Sequence, residues 1–198
     1  MLLNRLEFLL MNDPVRATVQ RRVVASNLLQ MGGDVEGGVA LEIGCGRGVG
    51  AEVILEVFDA VCVHAFDLDP RMVGRARRRL QNHGARAQFW VGDATSLACA
   101  DGQYNAVFDF GILHHVPDWQ AALAEIHRVL APGGRLYAEE VLAPAVWRSR
   151  HFLKHPQENR FDADGFESAL ERSGLQPVAR RDLGHSFGWF VARKPAAR

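Results

Sequence analysis

The sequence predicts an α/β protein built on a doubly wound, mostly parallel sheet. Short apolar runs alternate with helical patterns from Val39 to Val141, a glycine-rich turn follows the first run, and acidic residues stand where later runs end. Strand-length runs separated by helix-length segments imply crossover connections, and hence parallel strands with helices on both faces.

Each element follows from local chemistry. Asp13 before Pro14 reads as an N-cap and first helical position, opening a helix to about Leu29 that stops at Gly32-Gly33. The alternation then gives strand Val39 to Ile43, helix Gly50 to Phe58, strand Val61 to Phe66, helix Pro70 to Asn82 and strand Ala87 to Val91. Strand Ala106 to Phe110, helix Asp118 to Leu130, the turn Pro132-Gly133-Gly134 and strand Leu136 to Val141 continue it. Phe161 to Ser173 reads as a helix, and Gln176 to Leu183 with Phe187 to Ala192 as a closing antiparallel pair around Gly184-His185. Seven strands result, the C-terminal one antiparallel.

At 198 residues the chain suits one domain, with residues 1–33 as an N-terminal helical cap and 34–198 as the core. Lys plus Arg and Asp plus Glu both total 23, so no global field draws the protein to nucleic acid or an anionic membrane; a small-molecule partner fits. Cys45, Cys62 and Cys99 lack CxxC spacing, which argues against disulfides and a metal site and for a reducing cytoplasm. Arg5 and Glu7 interrupt the apolar N-terminus, so neither a signal peptide nor a stable membrane insertion is expected. Leu2, Leu3, Leu6, Leu9 and Leu10 share one helix side, suited to a lid over a pocket, a packed face or a homodimer contact. The arginines at 71, 75 and 78 read as a solvated helix stripe rather than a nucleic-acid face.

Chemistry concentrates at strand ends, where open parallel sheets bind ligands. Gly44, Gly46, Gly48 and Gly50 let main-chain N–H groups approach a ligand directly, as in a nucleoside cofactor site. Asp67 ends the second strand roughly 20 residues on, where a carboxylate can take both ribose hydroxyls. Asp69 before Pro70 reads as a helix cap. These features also satisfy a relaxed dinucleotide pattern, so a nicotinamide-dependent oxidoreductase is one alternative; it leaves the later motifs unused.

Those later motifs are Gly92-Asp93-Ala94 after the third strand, Phe108-Asp109-Phe110-Gly111-Ile112-Leu113-His114-His115-Val116 at the fourth, and Arg128-Val129-Leu130-Ala131-Pro132-Gly133-Gly134 beyond it. With Glu42-Ile-Gly44-Cys-Gly46-Arg-Gly48, this ordered set resembles the class I S-adenosylmethionine-dependent methyltransferases of the methyltransferase-11 and ubiquinone/menaquinone C-methyltransferase type. The resemblance spans about Val39 to Val141 and implies a Rossmann-like sheet, S-adenosylmethionine as cofactor, and methyl transfer to a small acceptor, apolar, aromatic or lipid-like.

It further implies a cofactor set of Glu42, Gly44, Cys45, Gly46, Gly48, Asp67, Leu68, Asp93 and Ala94. In it Glu42 lies near the amino group, the glycines line the methionine side, Asp67 holds the ribose and Asp93 reads the adenine edge. His114 and His115 are the candidate general bases, because an imidazole is mostly neutral at physiological pH. Their adjacent side chains are expected to diverge, so one faces the methyl. Glu139 and Glu140 read as satisfied, non-catalytic groups, and Trp147 to His155 as a solvated loop whose aromatic and basic side chains would also suit an aromatic or anionic acceptor. A non-catalytic S-adenosylmethionine-binding protein is the remaining alternative.

Overall fold

The computed structural model describes residues 14–142, 161–184 and 186–196. The expectations for residues 1–13, the Trp147 to His155 stretch and His185 lie outside the described residues.

Seven strands form one sheet: β1 (Val39–Ile43), β2 (Cys62–Asp67), β3 (Ala87–Val91), β4 (Tyr104–Phe110), β5 (Leu130–Val141), β6 (Gln176–Leu183) and β7 (Phe187–Arg193). Their spatial order is β3-β2-β1-β4-β5-β7-β6. The first five strands run parallel, and β7 enters antiparallel between β5 and β6. The order reverses direction at β1, so the turns after β1 and β4 splay apart and open a crevice between them.

Alternation along the strands supplies both faces. Leu41, Ile43, Val107, Leu136 and Ala138 pack under helices α5 (Trp119–Val129) and α6 (Ala163–Arg172). Ala40, Val63, Ala65, Phe108 and Tyr137 pack on the other side, under α2 (Ala25–Gly32), α3 (Val49–Glu56) and α4 (Pro70–Arg79). Three helices begin on an aspartate that accepts a main-chain N–H of the first turn: Asp69 from Arg71, Asp118 from Ala121 and Asp162 from Gly165. Each such cap stabilises by about 1 kcal/mol.

Three features differ from the sequence expectation. The first helix runs from α1 (Pro14–Val19) through an unexpected π turn, Gln20–Val24, into α2 and ends at the expected Gly32-Gly33 stop. Tyr137 holds that end, its hydroxyl lying 3.0 and 2.9 Å from the carbonyls of Gly32 and Gly33. Helix α4 stops at Arg79, where Leu80 leaves helical space (φ −101°, ψ 17°), and gives way to a 3₁₀ stretch, Gln81–Arg86, kinked at Gly84 (φ 57°, ψ −132°). The expected turn at Pro132 to Gly134 is instead a bulge within β5: Gly133 donates to the Lys194 carbonyl and Lys194 to that of Gly134, both at 2.9 Å, so the strand stays paired.

Arg128 and Glu125 on α5 shape the connection between β3 and β4. Arg128 donates to the carbonyls of Leu97 and Cys99 at 2.9 and 2.7 Å, and Glu125 accepts from Leu97 N–H at 2.7 Å. The arginine of the Arg128-Val129-Leu130 motif is thus a clamp on a loop some 30 residues earlier, near the amino ends of β4 and β5.

Candidate functional site

Two adjoining cavities open at the carboxyl ends of the parallel strands. The larger, about 300 Å³, is bounded by Gly44, Phe66 to Leu68, Gly92 to Thr95, and the segment from Ile112 through His115 to Asp118. The smaller, about 50 Å³, lies between the glycine turn and the first helix, with Glu42, Gly44 to Arg47, Gly50, Phe110, Ala17 and Gln20 on its walls. Gly44 and Ile112 belong to both and form the divide.

The glycine turn is shaped by conformations closed to most residues. Gly44 and Gly46 have φ of 68° and 49°, and a Cβ at Gly46 would meet no atom within 4 Å, so the space over it is open to a ligand. Gly48 has another use: it lines neither cavity, and its missing side chain lets Ala76 and Leu80 of the α4 region approach. Gly50 makes room for Glu42, whose Oε1 would lie 1.9 Å from a Cβ there.

Asp67 organises this turn while bounding the larger cavity. One oxygen accepts from Gly46 N–H and the other from Asp69 N–H, each at 2.9 Å. Burial pushes its carboxyl above the usual range, and these two bonds pull against that shift. Leu68 is 46% exposed at the cavity rim, whereas Ala94 is buried in its wall. Asp93 is exposed and turns Oδ1 onto Thr95, accepting from its N–H at 2.9 Å and its hydroxyl at 2.8 Å, which holds its carboxyl below the usual range.

Glu42 is the most informative group of the smaller cavity. It is 2% exposed, its Oε2 has no hydrogen-bond partner among the described residues, and burial followed by the neighbouring Asp67 pushes its carboxyl well above the usual range. A buried oxygen left without a donor is costly, and a cationic amino group beside it would remove that cost. Cys45 lies here too, but burial keeps its thiol protonated and unreactive.

The two histidines differ sharply. His115 lines the larger cavity, whereas His114 is buried with Nδ1 2.5 Å from Glu140 Oε2. They do not simply diverge as expected, since their rings remain in contact at a centroid distance of 4.1 Å. Behind them stand two wholly buried carboxyls. Asp109 is pushed well above the usual range by burial and then by Glu140, and its Oδ2 has no hydrogen-bond partner among the described residues. Burial pushes Glu140 up to about 7.

These raised carboxyls predict a pH effect. A group whose folded pKa exceeds its unfolded value stabilises fully below the unfolded value, and that contribution is lost as pH rises through the folded value. For Glu140 the window is 4.5 to about 7, and Glu42, Asp67 and Asp109 act in the same direction. His64 and His127, lowered by burial, oppose it, but both are only partly buried. The ligand-free protein should therefore show a lower urea midpoint at pH 8 than at pH 5.5, and Glu42→Gln should shrink the difference; a midpoint that rises with pH contradicts this.

Sequence reasoning did not single out Phe66, Thr95, Ile112, Ala17 or Gln20 as site residues. The first three sit beside motif residues and could have been found from strand-end position. Ala17 and Gln20 carry no such signal, because only packing of the first helix brings them over the glycine turn.

A family described as a methyltransferase domain matches residues 40–134. A fatty-acid O-methyltransferase of Mycolicibacterium smegmatis is 32% identical over 150 residues, covering 76% of this chain and 48% of that protein. A demethylmenaquinone methyltransferase of Thermus thermophilus is 36% identical over 105 residues, covering 52% and 47%. The chain spans about half the length of these curated relatives. In fold it is similar to a SAM-dependent methyltransferase from Aquifex aeolicus, with a TM-score of 0.75 at 18% identity over 98% of this chain and 100% of that one. The oxidoreductase alternative is not favoured by these similarities. With its motifs in order on a sheet of this topology, the chain carries a methyltransferase domain over residues 40–134 and is similar in sequence and fold to the S-adenosylmethionine-dependent methyltransferases.

Proposed function

We propose that this protein transfers a methyl group from S-adenosylmethionine to a small-molecule acceptor. The observation that carries the reading is the orphaned, buried Glu42 oxygen in a small cavity beside a larger, mainly apolar one, a pairing that suits an ammonium at one end and an adenosine at the other. Glu42 would face the amino group, the Gly44 to Gly46 turn would approach the methionine portion, and Asp67 would take the ribose hydroxyls with lone pairs left over from its main-chain bonds. Phe66, Leu68, Ala94 and Val116 would enclose the adenine, with Asp93 at its edge. When bound, the cofactor supplies an electrophilic methyl on a sulfonium.

The protein's part is then to hold an acceptor in line with that methyl and exclude water, which favours reaction by removing orientational freedom. For a phenol or carbon acid, His115 would accept the acceptor's proton, a role supported by its position at the border of the larger cavity while His114 is turned onto Glu140. Relatives named for fatty-acid and demethylmenaquinone methylation support an apolar or lipid-like acceptor. No described helix is long and apolar enough to cross a membrane, and the three free thiols suit a reducing cytoplasm.

The test is a thermal-shift panel of S-adenosylmethionine, S-adenosylhomocysteine, NAD and NADP. A ligand at 100 times its Kd stabilises by about 2.7 kcal/mol, so the first two should raise Tm by several degrees and the nicotinamides should not. Stabilisation by NAD alone would overturn the reading. Incubation with methyl-labelled cofactor and either a fatty acid or a demethylmenaquinone then reads the acceptor class by transfer of label.

A further inference from the structure

We propose that Glu140, together with Asp109, is a positioning residue that sets the 3₁₀ turn after β4 and thereby aims His115 into the larger cavity; the proposal rests on reading that cavity as the cofactor and acceptor site. The turn, Leu113–His115, is too short to satisfy its own leading N–H groups. Internal bonds run from His115 N–H to the Ile112 carbonyl and from Val116 N–H to that of Leu113, at 2.8 and 3.0 Å. The two leading N–H groups go to carboxyls: Ile112 donates to Asp109 Oδ1 and Leu113 to Glu140 Oε1, both at 2.8 Å.

Glu140 does a second task with its other oxygen, which meets His114 Nδ1. That contact turns the His114 ring into the interior, where it backs the His115 ring and leaves His115 as the imidazole bordering the cavity. A carboxyl suits both tasks because it presents two acceptor oxygens, one to the main chain and one to an imidazole; an amide presents one. Ile112, fixed by the same turn, would lie 2.4 Å from a Cβ at Gly44, so the turn also sets the divide between the two cavities. The Glu140 contacts originate on β5, 26 residues further along the chain than His114, from a side chain that is wholly buried.

The experiment compares amide hydrogen exchange and histidine ring NMR signals in wild type, Glu140→Ala and Glu140→Gln, with S-adenosylhomocysteine as probe. In Glu140→Ala, the Leu113 amide should exchange at least tenfold faster while Val107, at the sheet centre, stays within twofold. The shift of the His115 ring signal on adding the probe should fall at least threefold. Glu140→Gln, which keeps one acceptor, should restore part of both effects, with Leu113 exchange between threefold and tenfold faster than wild type.

Unchanged Leu113 exchange and an unchanged His115 response would overturn the proposal, as would equal acceleration at Leu113 and Val107. If the alanine variant does not fold, the glutamine variant decides by the same comparison, with a Leu113 change below threefold counting against the proposal. A wild-type protein whose signals ignore the probe would instead defeat the cofactor reading, and the exchange difference would still report whether Glu140 holds the turn.

Discussion

Asp67→Ala should weaken S-adenosylhomocysteine binding on the order of a hundredfold by calorimetry, because one side chain both shapes the site and contacts the ligand. Its loss leaves Gly46 and Asp69 N–H groups without the acceptors they meet at 2.9 Å, and releases the glycine turn from the end of β2. A hydrogen bond to a charged group contributes about 1.5–3 kcal/mol, so losing the ribose contact alone accounts for tenfold or more, and loosening of the turn adds to it. Asp67→Asn should fall between, since its amide oxygen can serve one N–H while its NH₂ opposes the other. Burial already raises the Asp67 carboxyl, so stability should suffer less than affinity. Calorimetric affinity unchanged in both variants would remove Asp67 from the proposed site.

Gly44→Ala should damage both stability and binding. At φ 68° an alanine costs about 1–2 kcal/mol in backbone strain, and its Cβ would sit 2.4 and 2.6 Å from two carbons of Ile112. Overpacking of that kind costs typically about 1–3 kcal/mol more, for a total of about 2–5 kcal/mol read as a fall in the urea midpoint. Because Ile112 borders both cavities, its retreat should abolish S-adenosylhomocysteine binding as well. Gly46→Ala provides the contrast: its φ is also positive, at 49°, but its Cβ would enter open space. It should cost about 1–2 kcal/mol of stability while losing affinity through occupation of that space. If Gly44→Ala and Gly46→Ala have equal stabilities, Ile112 does not pack on the turn as described.

Much of the architecture was legible in the chain itself. Strand Val39–Ile43 and strand Ala87–Val91 begin and end where their apolar runs do, and Asp69 caps the helix its position suggested. The π turn in the first helix was not legible, since its side chains keep a helical apolar pattern while the backbone gains a residue. The β5 bulge was missed for a related reason. Pro132-Gly133-Gly134 has turn composition, and only pairing with Lys194, over 60 residues later, keeps it in the sheet.

The sequence by itself determined the alternation of strands and helices, the glycine turn after β1 and the acidic strand ends, because these are written in periodicity and local conformational preference. Tertiary structure alone decided that His115 rather than His114 meets the cavity, that Gly48 serves helix packing, and that Asp109 and Glu140 are buried behind the turn. The physical reason is that burial and hydrogen-bond partnership are properties of strands laid side by side. Glu140 reaches His114 only because β5 docks beside β4 with Asp109 opposite Ala138, a register that no local stretch of residues contains.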